Sequence, residues 1–162
     1  MPLATLLGIL RRETEALNRT VALCLARLGK RHEFAQNGHE DILADSLAAC
    51  LHSFYTGLEN LLETIAAELD ELPQGPQWLK RLLDIMTAEI PGIRPTVLSE
   101  TSRDLLDDFR SFRHRFRNLY THSLRPELVF ALAGSLEETW RRTRADLETF
   151  LAAMEGQDGR KS

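Results

Sequence analysis

Apolar side chains at Leu10, Ala16, Leu17, Val21, Cys24, Leu25 and Leu28 recur every three or four residues, which predicts an amphipathic helix over about residues 3–30. Gly29 and Lys30 close it, and Asn37-Gly38 supplies a turn. Leu43, Leu47, Leu51, Phe54, Leu58, Leu61, Ile65 and Leu69 then keep the same spacing for about seven turns. This run is expected to be the longest helix and the spine of the fold. Leu72-Pro73-Gln74-Gly75-Pro76 breaks the chain, and Trp78, Leu79, Leu82, Leu83, Ile85 and Met86 mark a short helix that stops at Ile90-Pro91-Gly92. Arg94-Pro95 keeps the following residues extended. Ser99 or Ser102 can cap a fourth helix with the stripe Leu105, Leu106, Phe109, Phe112, Phe116 and Leu119. Pro126 opens a last helix that runs through Leu128, Phe130, Leu132, Leu136, Trp140, Leu147, Phe150 and Leu151. No stretch alternates with the period of a strand. The expected fold is an all-α antiparallel bundle of four to five helices, one domain over residues 1–155 with a polar, disordered tail at 156–162.

Composition narrows the function. The 162 residues, 43% of them apolar, suffice for one core without staples. Lys and Arg number 20 against 24 Asp and Glu, so a net charge of -4 argues against coating nucleic acid through bulk charge. Any such contact must be local. Residues 109–126 supply a local patch: Arg110, Arg113, Arg115, Arg117 and Arg125 stand with His114 and His122, without one Asp or Glu. Cys24 and Cys50 fall inside apolar helical patterns and read as reduced core residues. At the N-terminus Arg11 and Arg12 follow the apolar run, the wrong polarity for a secretory signal. No apolar run approaches the roughly 18 residues of a membrane span. A cytoplasmic protein without membrane contact is expected.

Within the patch, Arg117-Asn118-Leu119-Tyr120-Thr121-His122 pairs a fixed positive charge with a group that titrates near neutrality, and Asn118 adds a side-chain amide. On an unbroken helix, five residues turn by about 500° and would leave Arg117 and His122 about 140° apart. They converge only if the helix ends near Tyr120 or if a second subunit supplies the partner group. Thr121, Ser123 and Pro126 favour a turn there. The plainer alternative is a solvated arginine and a histidine at a helix C-terminus; the acid-free neighbourhood and adjacent aromatics weigh against it.

Other constellations carry less. His32-Glu33 and His39-Glu40-Asp41 read as solvated turn residues, not metal ligands, and the two cysteines lack zinc-site spacing. No Glu-x-x-His pair, phosphate-binding glycine loop or nucleophile elbow occurs. Neither metal nor cofactor is expected. His52 and Tyr55 read as a helix flank at the core edge, and Glu59, Glu63, Glu68, Asp70 and Glu71 as a solvated face.

The stretch from Trp78 to Val129 resembles the HepT-like branch of the HEPN superfamily. The resemblance rests on the tryptophan-led short helix, the turn Ile90-Pro91-Gly92-Ile93-Arg94-Pro95, the helix Phe112-Arg113-His114-Arg115-Phe116-Arg117 and the following Leu124-Arg125-Pro126. Ser53-Phe54-Tyr55-Thr56-Gly57-Leu58-Glu59 is similar to the family's second helix. The HEPN signature is an arginine, usually a polar residue after it, and a histidine four to six positions on; Arg117, Asn118 and His122 fit its shortest spacing.

The resemblance implies a metal-independent endoribonuclease, commonly the toxin paired with a small nucleotidyltransferase antitoxin (MNT type), and a homodimer whose two motifs face one shared cleft. It casts Arg117, His122 and Asn118 as catalytic, while Arg110, Arg113, His114 and Tyr120 are assigned to RNA binding. Many HepT proteins carry a tyrosine two positions after the histidine, to which the antitoxin attaches adenylate groups. Leu124 stands at that position, so the resemblance brings the partner without its usual target. The rival expectation is a non-catalytic HEPN bundle that binds RNA, a nucleotide or a partner protein.

Overall fold

The computed structural model describes residues 1–118 and 124–161, with the side chains of 118, 158, 160 and 161 outside the description. Among the described residues it places six helices: α1 (Leu3–Leu28), α2 (Arg31–Gln36), α3 (Glu40–Leu69), α4 (Trp78–Met86), α5 (Glu100–Asn118) and α6 (Pro126–Lys161). The all-α bundle is as expected from the apolar spacing. The short α2 was not legible, because none of its six residues is buried and so no periodic stripe marks it. Leu119, expected to extend the stripe of α5, lies outside the described residues.

α3 is the spine, packing against all five other helices. Its Leu47, Leu51, Phe54, Leu58 and Ile65 are completely buried, each contributing about 1.5–3 kcal/mol through removal from water. Phe54 meets Phe109 of α5 and Trp140 of α6 edge-on, with ring centroids 5.4 and 5.9 Å apart, and so ties three helices at one point. α3 is not the longest element, however: α6 has 36 residues against its 30. No proline interrupts α6 after Phe150, and its backbone stays helical to Lys161, past Asp158-Gly159 and through the segment set apart as a tail. Past Met154, none of the described side chains is buried.

Ser99 caps α5. Its hydroxyl oxygen accepts the Ser102 amide at 3.2 Å and donates to Asp146 Oδ2 of α6 at 2.8 Å. Between α4 and α5 the connection is more structured than Arg94-Pro95 alone suggested. Ile90 and Arg94 form an isolated antiparallel bridge around Gly92 at φ 78°, a left-handed conformation that favours glycine. The Arg94 side chain is fully buried beneath this turn. Its guanidinium donates to the carbonyls of Ala88, Ile85 and Pro95 at 2.9, 3.0 and 3.2 Å, and to Asp70 Oδ2 at 2.9 Å. Asp70 at the end of α3 therefore belongs to a buried pair and not to a solvated face.

Candidate functional site

Helical geometry sorts the side chains of α5 into two faces. Leu106, Phe109 and Phe112 are buried on one face and fasten the helix to the core. Positions 110, 113, 114 and 117 are separated by three, four and seven residues, so they share another face. Phe116 stacks on Phe112, with centroids 5.9 Å apart, and packs against the His52 imidazole of α3 at 5.0 Å. The cations therefore lie beside the apolar stripe, with Arg113 reaching back to α3.

Two of those cations are fixed from behind. Arg113 Nε donates to Thr56 Oγ1 at 3.0 Å, and Arg113 Nη2 pairs with Glu59 Oε1 at 3.3 Å. Arg110 Nε donates to Asp107 Oδ1 at 2.7 Å. Glu59 is buried, which corrects the expectation of a solvated acidic face. It falls on one helical stripe with Tyr55, Leu62 and Ala66, a register that could have marked an acid in need of a cation. Burial pushes Glu59 above the usual carboxylate range, Arg113 pulls it back, and nearby Glu63 pushes it further up. The second oxygen, Oε2, is sealed from solvent and has no hydrogen-bond partner among the described residues.

His52 lies at the edge of the same cluster. Burial holds its imidazole below the ordinary value, and Arg113 and Arg117 act in the same direction. Its Nε2 is sealed and, among the described residues, without a hydrogen-bond partner. Tyr55 is buried, and its phenol is pushed up, first by burial and then by Glu59.

Arg110, Arg113, His114 and Arg117 come together along one cavity of about 410 Å³, closed on its other side by Pro76, Gln77, Leu79 and Lys80 at the start of α4. Among the described residues, no carboxylate lines it. Lys80 had no signal in the sequence, because only the packing of α4 on α5 brings it near the arginines. The turn ahead of α4 depends on Gly75 at φ 98°, where a side chain would be strained. Gln74 O accepts Arg81 Nη1 at 3.0 Å and Gly75 O accepts the Trp78 amide at 3.2 Å, so the turn is held as α4 begins.

Arg117 is exposed in the last described turn of α5. Asn118 follows on the helix backbone, its side chain outside the description. Tyr120 and His122 lie outside the described residues, so the structure brings together Arg117 and three of the four expected binding residues, Arg110, Arg113 and His114, and is silent on Tyr120 and the histidine.

A second concavity, of about 500 Å³, runs between α5 and α6. Its lining is mostly apolar, from Phe112, Phe116, Leu124, Leu128, Val129 and Leu132, with Asp108, Arg115 and Arg125 among the polar residues, and Leu128 is 52% exposed. Elsewhere, Cys24 and Cys50 are buried and unlinked. Burial pushes the Cys24 thiol up, keeping it uncharged. Among the described residues, no three His, Cys, Asp or Glu side chains gather as metal ligands, and Glu40 instead pairs with Arg31 at 2.8 Å. No helix among them is long and apolar enough to cross a membrane.

Chemically, the cavity offers concentrated positive charge with part of it immobilised, an arrangement suited to phosphate oxygens. A family model described as HepT-like protein matches residues 46–154, which covers α4, α5 and most of α3 and α6. No curated protein and no solved structure matches the chain.

Proposed function

Because the chain belongs to the HepT-like family of the HEPN superfamily, we propose that it is a metal-independent endoribonuclease and the toxin partner of a small nucleotidyltransferase. The observation that carries this reading is the exposed Arg117 on an acid-free cavity with three further cations and His114.

In the proposed reaction the RNA 2′-hydroxyl attacks its own phosphorus. The P–O2′ bond forms, the P–O5′ bond breaks, and the products carry a 2′,3′-cyclic phosphate and a 5′-hydroxyl. His122 accepts the 2′-hydroxyl proton or donates one to the leaving 5′-oxygen, tasks suited to a group with an ordinary value of about 6.5. Arg117 stabilises the additional negative charge on the phosphorane, a contribution on the order of 10²-fold or more in rate. Asn118 orients His122 or holds a phosphate oxygen. Arg110, Arg113, His114 and Tyr120 bind the flanking strand. DNA lacks the nucleophile and is left intact.

In a homodimer the second copy covers the apolar groove between α5 and α6, and its motif supplies the complementary proton carrier. Leu124 has no hydroxyl to take an adenylate group, so in this reading neutralisation by the partner protein proceeds by contact or at another hydroxyl.

The reading is tested with single-stranded RNA in the presence of a chelator. Wild-type protein should cleave it, and Arg117→Ala and His122→Ala should each lower the rate at least 10²-fold. Persistent cleavage by both variants would reject these residues as the site. Retention of intact RNA by wild type at every pH tested would favour a binding module.

A further inference from the structure

We propose that Lys80 of α4 and Gln77, just ahead of that helix, complete a subsite for the RNA backbone beside the reacting phosphate, so that the strand runs between α4 and α5. The inference rests on the ribonuclease reading for the identity of the polyanion. Its own basis is the cavity, which joins residues from two helices that are separate in sequence.

Arg110, Arg113 and Arg117 form a row along α5 about 10 Å long, taking 1.5 Å per residue. A row of that length follows a strand and does not merely clamp one group. Asp107 and Glu59 hold Arg110 and Arg113 from outside the cavity lining, which fixes the guanidinium positions and offsets part of their charge. Arg117 and Lys80 are both exposed, and among the described residues neither side chain makes a hydrogen bond or a close ion pair, although Arg117 is near enough to Glu59 to draw its carboxyl down. They are the cations with charge to give a ligand, and they belong to opposite walls.

The amide of Gln77 adds a neutral donor on the α4 side. Gly75 and the Arg81 to Gln74 hydrogen bond set where that wall begins. The walls are further tied by Arg103 of α5 to Asp84 of α4, at 3.2 Å. Chemistry of this kind recognises successive phosphodiesters by charge and spacing, without reading bases.

The test uses the full-length protein and a 2′-O-methyl RNA oligonucleotide, which has the backbone charge but no free nucleophile. Its binding is followed by fluorescence anisotropy across a salt series. Lys80→Gln should weaken binding about tenfold at low salt, the effect of one lost charge-assisted contact. It should also reduce the slope of log affinity against log salt by about 0.7, as expected for one single-strand phosphate. Lys30→Gln, at the junction of α1 and α2, should leave both unchanged. With cleavable RNA, the Lys80→Gln loss should appear in KM.

Equal affinity and equal salt slope for wild type and Lys80→Gln would overturn the subsite. So would Lys80-dependent binding of tripolyphosphate or a nucleoside triphosphate that is tighter than RNA binding at equal phosphate concentration. Lys80-dependent RNA binding without cleavage would leave the subsite standing and reject the ribonuclease reading. Cleavage without Lys80 dependence would do the reverse.

Discussion

His52 links the stability of this fold to pH, because burial and the arginines Arg113 and Arg117 keep its imidazole neutral below the ordinary value. Unfolding returns it to about 6.5, so the unfolded chain takes up the proton more readily. The stability associated with a neutral His52 is complete above that pH and is lost as the pH falls from there toward the lower value of the folded protein. Urea denaturation should therefore show wild type losing more stability than His52→Phe between about pH 7.5 and about pH 5.5, since phenylalanine keeps a ring against Phe116 without titrating. Equal losses would contradict the assignment. At this scale the sequence was informative where charge repeats along one helix: Arg110, Arg113, His114 and Arg117 share a face because of their spacing alone. It was uninformative where a charge finds its partner through packing. Glu59 looked like one more surface acid, and nothing in the sequence marked Lys80.

At the scale of elements, apolar periodicity was enough to place α1, α3, α4, α5 and α6, each of which has buried side chains at helical spacing. It could not reveal α2, which buries nothing, nor the turn that joins α4 to α5. That turn depends on Arg94, whose fully buried guanidinium connects Asp70 at the end of α3 to the backbone after α4. The pair is 24 residues apart in sequence, and periodicity has no means of joining them. Arg94→Met should cost about 3–5 kcal/mol in chemical denaturation, because it leaves Asp70 and three carbonyl oxygens without their donor. A loss below about 1 kcal/mol would mean that water replaces the guanidinium. The consequence reaches the site, because the same turn fixes α4, and α4 carries Lys80.

For the molecule as a whole, the net charge of -4 conceals a segregated distribution. Positive charge is gathered on the α4 and α5 cavity, while the adjacent α5 and α6 groove is apolar. A charged site beside an uncovered apolar groove suits a chain that works as two copies around one strand. The fold class and family resemblance were legible from the chain because helix periods and the Arg117 segment are local patterns. The cavity was not, because it exists only where two helices meet. The central claim is that Arg117 and His122 cleave RNA through its own 2′-hydroxyl. The most direct measurement is mass spectrometry of RNA fragments produced in excess chelator by wild type and by Arg117→Ala. Fragments ending in 2′,3′-cyclic phosphate and beginning with 5′-hydroxyl, made by wild type and absent with Arg117→Ala, are the predicted result. Fragments with 5′-phosphate ends, or the same cyclic ends from both proteins, would contradict it.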